Sequence, residues 1–350
     1  MENLACASVS RKAKPCGCTY NRRVARVLVL GGTGFVGPFI VRQLLDEGHH
    51  VTVFHRGHRE PPGTEHAEHV HARFASLPAY VSRLSRPKPD VVVDVSPGIG
   101  KSGHGVLQFA GVAERGVVLT SMDVYRAVLV IWGVSSKPQP MPVSEDSALR
   151  DEPSPDLPPD LAFDNLTVEQ AVRERADFPV TVLRCPLIYG PLDTQRRLRA
   201  YVCRMRDRRP AIVVDQRFAR LRWSRGYVEN VAAAAVAAVS NDRAAGKTYN
   251  VAEPDALTED QWILAIADAF GWNGRVLVSE PDALPPGLRV PLPPQDLFAD
   301  TSRIRDELGY HEHVTRGDGL RRAIEWELSQ SESESPPDYS AEDVFLASRS

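Results

Sequence analysis

The stretch Val27-Leu28-Val29-Leu30-Gly31-Gly32-Thr33-Gly34-Phe35-Val36-Gly37 constrains this chain more than any other. It joins an apolar run of strand character to glycines at 31, 34 and 37 and then to an amphipathic run over 35–45, the order of a strand, a tight turn and a helix. Glycine has no Cβ, so the backbone can turn sharply and approach a ligand closely. The N–H groups at a helix start attract an anion. Such a junction suits the pyrophosphate of a dinucleotide, held by Gly31, Thr33, Gly34, Phe35, Val36 and Gly37. A plain Gly-rich turn can share the spacing, so the reading rests on the flanking strand and helix as well as on the glycines.

Apolar runs and helical patterns alternate beyond that junction. Strands are predicted over 26–30, 50–54, 69–74, 91–95, 117–120 and 180–183, and helices over 34–47, 76–84, 101–115, 165–176 and 195–208. This alternation implies an α/β fold with a doubly wound parallel sheet of the Rossmann type. A proline-dense segment over 137–159 reads as a loop within the fold. An alanine-rich helix over 228–240, a strand over 247–251 and a helix opened by a Thr258/Gln261 capping box suit a smaller, mixed C-terminal lobe. The expected organisation is a flexible tail over 1–23, one domain over 24–328 and a flexible acidic tail over 329–350. Within that domain the dinucleotide core covers about 24–190 with returning segments, and the substrate lobe about 191–328.

A net charge of -3 gives no field that would recruit nucleic acid or an anionic membrane, although arginine is dense between Arg196 and Arg225. The longest apolar runs, such as 231–239, are too short to span a bilayer, and no signal-peptide core opens the chain, so a cytoplasmic location is expected. Cys6, Cys16 and Cys18 precede the first strand without Cys or His partners at zinc spacing, so no metal site is expected. Cys185 and Cys203 read as buried thiols.

At the end of the second strand stands Phe54-His55-Arg56-Gly57. A carboxylate at this place would meet a free ribose 2′-hydroxyl. None is present, and Arg56 offers a forked cation suited to a 2′-phosphate, which favours NADP(H) over NAD(H). A solvated arginine in an exposed turn is the competing reading.

Later segments carry a family resemblance. Thr120-Ser121-Met122-Asp123-Val124-Tyr125, Leu183-Arg184-Cys185-Pro186-Leu187-Ile188-Tyr189-Gly190-Pro191, Arg225-Gly226-Tyr227-Val228-Glu229-Asn230-Val231 and Asp300-Thr301-Ser302-Arg303-Ile304 follow the glycine turn in order. Together, across roughly 25–328, the chain resembles the extended and atypical short-chain dehydrogenase/reductases of the NAD-dependent epimerase/dehydratase group. The resemblance implies a nicotinamide across the carboxyl ends of the strands and a substrate held against the C-terminal lobe. It implies that Ser121 hydrogen-bonds the reacting oxygen and that a Tyr-x-x-x-Lys pair moves the proton.

That pair is missing. Aligning Val168-Glu169-Gln170 with the family helix places Leu161 at the tyrosine position and Asn165 at the lysine position, and no Tyr-x-x-x-Lys occurs anywhere in the chain. Leucine neither donates nor accepts, and Asn165 can bond a ribose hydroxyl but carries no charge to lower a phenol pKa. Tyr125, Tyr189, Asp164 and Asp123 are the nearby substitutes, each with a packing or capping reading beside the catalytic one. The resemblance also implies an aspartate on the adenine, where His71-Ala72-Arg73 offers none, so weakened but retained cofactor binding is expected.

Three functions fit these residues. The first is an NADP-dependent oxidoreductase or isomerase that reduces, epimerises or dehydrates a sugar-like or other small oxygenated metabolite. The second is a redox-silent enzyme of cyclisation, elimination or isomerisation, and the third a non-catalytic dinucleotide sensor or scaffold. The expected partner is a small-molecule substrate, with no nucleic acid or membrane, and a homodimer through helices 101–115 and 165–176 is compatible with the resemblance.

Overall fold

The structure, a computed structural model, describes residues 24–95, 105–151, 164–291, 295–330 and 337–349. The predicted junction is present: β1 (Arg26–Leu30) runs into α1 (Gly37–Asp46) through the glycine turn. The helix starts at Gly37 rather than at 34, because Pro38 lies in its first turn, where proline needs no N–H partner. There follow β2 (His50–His55), β3 (Glu68–His71), α2 (Leu77–Leu84), β4 (Val91–Asp94), β5 (Arg115–Ser121), α3 (Ala127–Ile131), α4 (Asn165–Glu174) and β6 (Val180–Cys185). The C-terminal part contributes β7 (Leu187–Tyr189), α5 (Arg199–Arg206), β8 (Ala211–Asp215), α6 (Gln216–Ala219), β9 (Arg225–Tyr227), α7 (Val228–Ser240) and β10 (Thr248–Asn250). Last come α8 (Glu259–Phe270), β11 (Arg275–Ser279), α9 (Ser302–Leu308), α10 (Arg316–Ser329) and α11 (Ser340–Ala347).

Seven strands form one parallel sheet in the order β10-β6-β5-β4-β1-β2-β3. The chain steps outward from β1 to β3 and then returns to β4 on the other side of β1, with Leu30 in register with Asp94. This is the topological switch point of a doubly wound fold, where a crevice opens beyond the strand ends. Alternate residues of β1 serve opposite layers: Val27 and Val29 pack with α1 and α7, while Leu28 and Leu30 pack with α2, Phe109 and Val168 of α4. Burial on both faces explains why the strands read as continuous apolar runs. On α1, Ile40, Val41 and Leu44 are fully buried, each worth about 1.5–3 kcal/mol of transfer free energy.

Several expected boundaries move. The helix predicted over 101–115 is not found among the described residues: Gly105–Phe109 is a single 3₁₀ turn, Gly111 takes φ +77°, and β5 already begins at Arg115. Residues 101–104 lie outside the described ones. Of the two helices expected to pair in a dimer, only α4 is therefore described. The strand predicted to Phe74 ends at His71, and Phe74–Ser76 is a 3₁₀ turn. The helix predicted over 195–208 shortens to α5, since Arg196 takes φ +48°. The short elements α3 and α6 and the two-stranded pairs β7–β9 and β8–β11 carry no strong periodicity and escape prediction.

The stretch 329–350, expected to be mobile, instead contains α11. Phe345 is buried with Val213 and Leu284, and three residues earlier Glu342 accepts from Arg204 Nε at 2.9 Å. One helix face thus supplies both the apolar plug and the ion pair. The tail over 1–23 lies outside the described residues. Among the described residues no helix is long and apolar enough to cross a membrane.

Candidate active site

The crevice is built first from backbone. Gly31 has φ +83°, a left-handed conformation that glycine adopts without steric cost, and its N–H donates to Phe54 O at 3.0 Å. A Cβ on Gly37 would stand 2.6 Å from the carbonyl carbon of Gly32, so only glycine lets the helix start lie against the turn. Gly34 is exposed, with nothing closer than 3.9 Å to a Cβ built on it, and Thr33 is half-buried beside it. Phe35 packs on the core and Val36 is buried at the N-cap. The turn thus presents main-chain atoms to the crevice and side chains to the core, as a diphosphate cradle requires.

A cleft of about 150 Å³ adjoins this turn, lined by Gly31, Thr33, Gly34, Phe54, His55, Arg56, His58, Arg59, Ala72 and Phe74. Arg56 is joined there by His58 and Arg59, all exposed, and among the described residues no carboxylate lines the cleft. Ala72 occupies the wall where the resemblance would place an acid. His58 and Arg59 were not singled out in the sequence, because they fall in a loop without periodicity.

At the end of β5, Ser121 is half-buried and its Oγ accepts from Asp123 N at 3.2 Å. That bond leaves the hydroxyl hydrogen free to donate. Asn165, the first residue of α4, donates its amide nitrogen to both oxygens of Asp123, at 3.1 and 3.0 Å. The expected ribose contact of Asn165 is thereby narrowed to its amide oxygen, since the nitrogen is committed. Burial pushes the Asp123 carboxyl up to about 6, against the opposing pull of the Asn165 bond and of Arg150. A carboxylic acid with such a pKa is matched to proton transfer near neutrality.

Arg150 holds this corner together. Its Nε donates to Asp123 O at 2.8 Å, and its two terminal nitrogens grip Asp164 in a fork. Asp164 in turn caps α4 by accepting from Leu166 N at 2.9 Å. The cap engages Oδ1 of Asp164, and the Arg150 fork engages both its oxygens in a buried ion pair. Nothing in the sequence signals Arg150, which sits in the irregular chain before α4.

The two tyrosines proposed as replacement acids are placed in the interior. Tyr125 is fully buried, donates to Asn250 Oδ1 at 2.6 Å and accepts from Arg184 Nη1 at 3.0 Å, and burial pushes its phenol up to about 12. Tyr189 is 1 % exposed and donates to Glu253 Oε1 at 2.7 Å, with its ring against Tyr227 and Trp262; burial carries its pKa far above the usual phenol range. Both hydroxyls are buried and bonded to interior partners, Asn250 and Arg184 for Tyr125 and Glu253 for Tyr189. Leu161 lies outside the described residues. The buried Cys185 thiol is pushed up to about 12 by burial alone, consistent with an inert thiol.

Below the site, Arg184 forks onto Glu169 at 3.0 and 2.7 Å, and Thr120 Oγ1 donates to Glu169 at 2.9 Å. Arg184 also donates to Glu145 O, and Asn250 N to Glu145 Oε1. Glu169, Arg184 and Thr120 all lie in stretches that carry the family resemblance, where they act as a buried polar scaffold rather than as reacting groups.

The doubly wound parallel sheet, with the glycine turn at its switch point and Ser121 at the end of β5, defines a Rossmann-type α/β protein. The family model "NAD dependent epimerase/dehydratase family" matches residues 27–158 and 159–252, and the chain belongs to that family. It is 24% identical over 344 residues, 93% of this chain and 85% of the relative, to the chloroplast stem-loop binding protein of 41 kDa b from Arabidopsis thaliana. It is 27% identical over 242 residues to 2'-dehydrokanamycin reductase from Streptomyces kanamyceticus, covering 67% of this chain and 64% of that protein. Among solved structures it is similar to a UDP-glucose-4-epimerase from Stenotrophomonas maltophila with bound NAD and formylated UDP-arabinopyranose, at TM-score 0.66 and 19% identity over 89% of this chain and all of that one. It is also similar to the UDP-glucose 4-epimerase of Thermus thermophilus in complex with NAD, at TM-score 0.62 and 18% identity over 87% and 99% of the two chains. At these identities the structural likeness establishes the fold.

Proposed function

We propose that this chain is an NADP(H)-dependent enzyme that reduces, epimerises or dehydrates a sugar-like or other small oxygenated molecule. The observation that carries the proposal is the Asp123 carboxyl held by Asn165 beside Ser121 at the carboxyl end of the sheet. The main chain of 31–37 would hold the diphosphate, and Arg56 with His58 and Arg59 the ribose 2′-phosphate. The Asn165 amide oxygen would accept from a ribose hydroxyl. When bound, the nicotinamide supplies or takes up a hydride.

The residues do the rest. Ser121 donates its hydroxyl hydrogen to the reacting oxygen and orients it. Asp123 gives a proton to that oxygen in the reductive direction and takes it back in the oxidative one, the work a Tyr-x-x-x-Lys pair does in relatives. Asn165 steadies the carboxylate once the proton has left, and Arg150 fixes the main chain on which Asp123 stands. Names of relatives point the same way: one is a reductase, and solved neighbours are epimerases of UDP-sugars. Purified chain titrated with NADPH and NADH, followed by substrate-dependent loss of NADPH absorbance over a panel of sugar ketones, tests this reading. Absence of any melting shift with either dinucleotide at millimolar concentration would remove it. Product formed without cofactor or absorbance change would favour the redox-silent reading instead.

The stem-loop binding relative raises a second reading, in which a nucleic-acid stem-loop is a partner. Against it stands the fate of the arginine-dense stretch. Seven of its eleven arginines, Arg196, Arg197, Arg204, Arg206, Arg209, Arg217 and Arg225, are each paired with a carboxylate of the same chain. Neutralised guanidinium groups give little counterion release on phosphate, so a small-molecule partner is the reading retained. Micromolar, salt-sensitive retention of an RNA stem-loop on a filter would reverse that choice.

A further inference from the structure

The β2–β3 edge carries a cluster of side chains that the proposed reaction does not use. His55 ends β2, His69 and His71 stand on β3, and Glu60 comes from the loop between the strands. The parallel register sets His55 against His71 and Val53 against His69. One potential ligand atom from each of His55, Glu60, His69 and His71 lies within 4.8 Å of every other. His55 Nε2 is 2.9 Å from His69 Nδ1, His71 Nε2 is 2.7 Å from Glu60 Oε1, and His69 Nδ1 is 4.0 Å from that same oxygen. In a tetrahedral zinc site with bonds of 2.0–2.2 Å, neighbouring ligand atoms stand about 3.3 Å apart. The observed separations straddle that value, and shifts of around an ångström would equalise them.

Proton positions follow from the hydrogen bonds. His69 Nε2 lies 3.0 Å from Thr64 O. A carbonyl only accepts, so this nitrogen carries the hydrogen and Nδ1 turns a lone pair into the cluster. A ring N–H anchored on a main-chain carbonyl is the outer support that metal-bound histidines commonly have. His55 Nδ1 accepts from Gly57 N at 3.2 Å, so the His55 proton sits on Nε2 and is donated to His69. The cluster is open to solvent on one side, where the His71 and Glu60 side chains are 52% and 50% exposed.

We propose that His55, His69, His71 and Glu60 form a binding site for a divalent transition-metal ion of the zinc class. Three imidazoles and one carboxylate match the donors such ions take in tetrahedral geometry. The ion would replace the proton shared by His55 and His69, which moves to His55 Nδ1 as Gly57 N–H is released; both rings stay neutral. Bound there, it ties the loop that carries Arg56, His58 and Arg59 to the edge of the sheet. The spacing of these four residues matches no zinc motif, and the pairing of β2 with β3 is what gathers them.

The test uses untagged full-length chain in which Cys6, Cys16 and Cys18 are replaced by serine, stripped with chelator and titrated with Zn²⁺ against a chromophoric chelator. Expected are one Zn²⁺ per chain, a rise in melting temperature, and visible absorption bands of four-coordinate geometry when Co²⁺ is substituted. His71→Ala, Glu60→Gln and His69→Ala should each weaken Zn²⁺ at least tenfold. His71→Ala removes a half-exposed ring, so its melt in chelator should match the parent and separate lost binding from lost folding. Absence of stoichiometric Zn²⁺ on the parent, or equal retention in His71→Ala and His69→Ala, would overturn the site and leave a hydrogen-bonded histidine pair beside a surface ion pair. No nucleotide enters the measurement, so its outcome is independent of the cofactor proposal.

Discussion

The Asn165 amide nitrogen donates to both carboxylate oxygens of Asp123, at the position where the family resemblance implies the lysine of a proton-moving pair. On that implied correspondence the chemistry is inverted. A lysine supplies charge that lowers a phenol pKa, whereas here a neutral amide supports a carboxyl whose pKa is already raised toward neutrality by burial. Asp123→Asn keeps the size and the acceptor for Asn165 but removes the proton. We expect turnover to fall about 10²–10⁴-fold with little change in NADPH affinity. Steady-state rates beside fluorescence titration check it; a variant within threefold of the parent would exclude Asp123 as the proton carrier.

The direction of pH dependence follows from the same group. With the Asp123 carboxyl titrating near 6, reduction needs the protonated form and should slow as pH rises through that value. Oxidation needs the carboxylate and should quicken over the same window. Profiles of kcat taken in both directions would show opposite limbs, and parallel limbs would contradict the assignment.

Stability should show the complementary effect. The carboxyl goes from about 3.8 in the unfolded chain to about 6 in the folded one, so the folded chain holds more protons between those values. Its contribution is therefore present below the lower value and lost as pH rises through the upper. Above pH 7, Asp123→Asn should be more stable than the parent by on the order of 1–2 kcal/mol, after discounting for the partial exposure of the group. Denaturant unfolding at pH 5 and pH 8 measures it. A variant less stable than the parent at pH 8 would contradict a raised pKa.

The proposed preference for NADP(H) rests on the cationic rim of Arg56, His58 and Arg59. Arg56→Glu would place at the end of β2 the acid that a free ribose hydroxyl favours. Loss of a charge-assisted contact costs about 1.5–3 kcal/mol, so NADPH should bind roughly ten- to a hundredfold more weakly, with NADH equal or better. Titration of both nucleotides against parent and variant decides, and unchanged NADPH affinity would mean that Arg56 points to solvent.

The sheet, the glycine turn and the position of Ser121 were legible in the sequence because each rests on local signals: continuous apolar runs from strands buried on both faces, glycines with backbone reasons, and a strand end followed by a turn. Within the described part of the helix expected over 101–115, the left-handed Gly111 at φ +77° outweighs periodicity, while Gly105 lies where a Cβ would meet Phe74 at 2.7 Å. Docking of α11 was hidden because Phe345 finds Val213 and Leu284, residues from distant parts of the chain. At the site, the lack of a Tyr-x-x-x-Lys pair was visible, but the Asp123–Asn165 contact was not. Whether Tyr125, Tyr189, Asp123 or Asp164 meets the crevice depends on which carries a buried partner, and the partners Asn250, Glu253 and Arg150 lie 14 to 125 positions away. Long-range pairing of this kind has no periodic trace.

Tyr125 offers the sharpest separation of scaffold from chemistry. Its hydroxyl connects Asn250 Oδ1 to Arg184 Nη1 inside the core, and Arg184 is the partner of the buried Glu169. Tyr125→Phe leaves a buried acceptor on Asn250 without its donor, and an unsatisfied group of this kind costs about 1–3 kcal/mol. We therefore expect a lower melting temperature and an unchanged kcat at temperatures where the variant remains folded. Tyr189→Phe should behave alike, since Glu253 loses a donor but retains Arg316. If either substitution instead abolished turnover while the melt stayed put, the proton would have to travel through the interior, and Asp123 would lose its role.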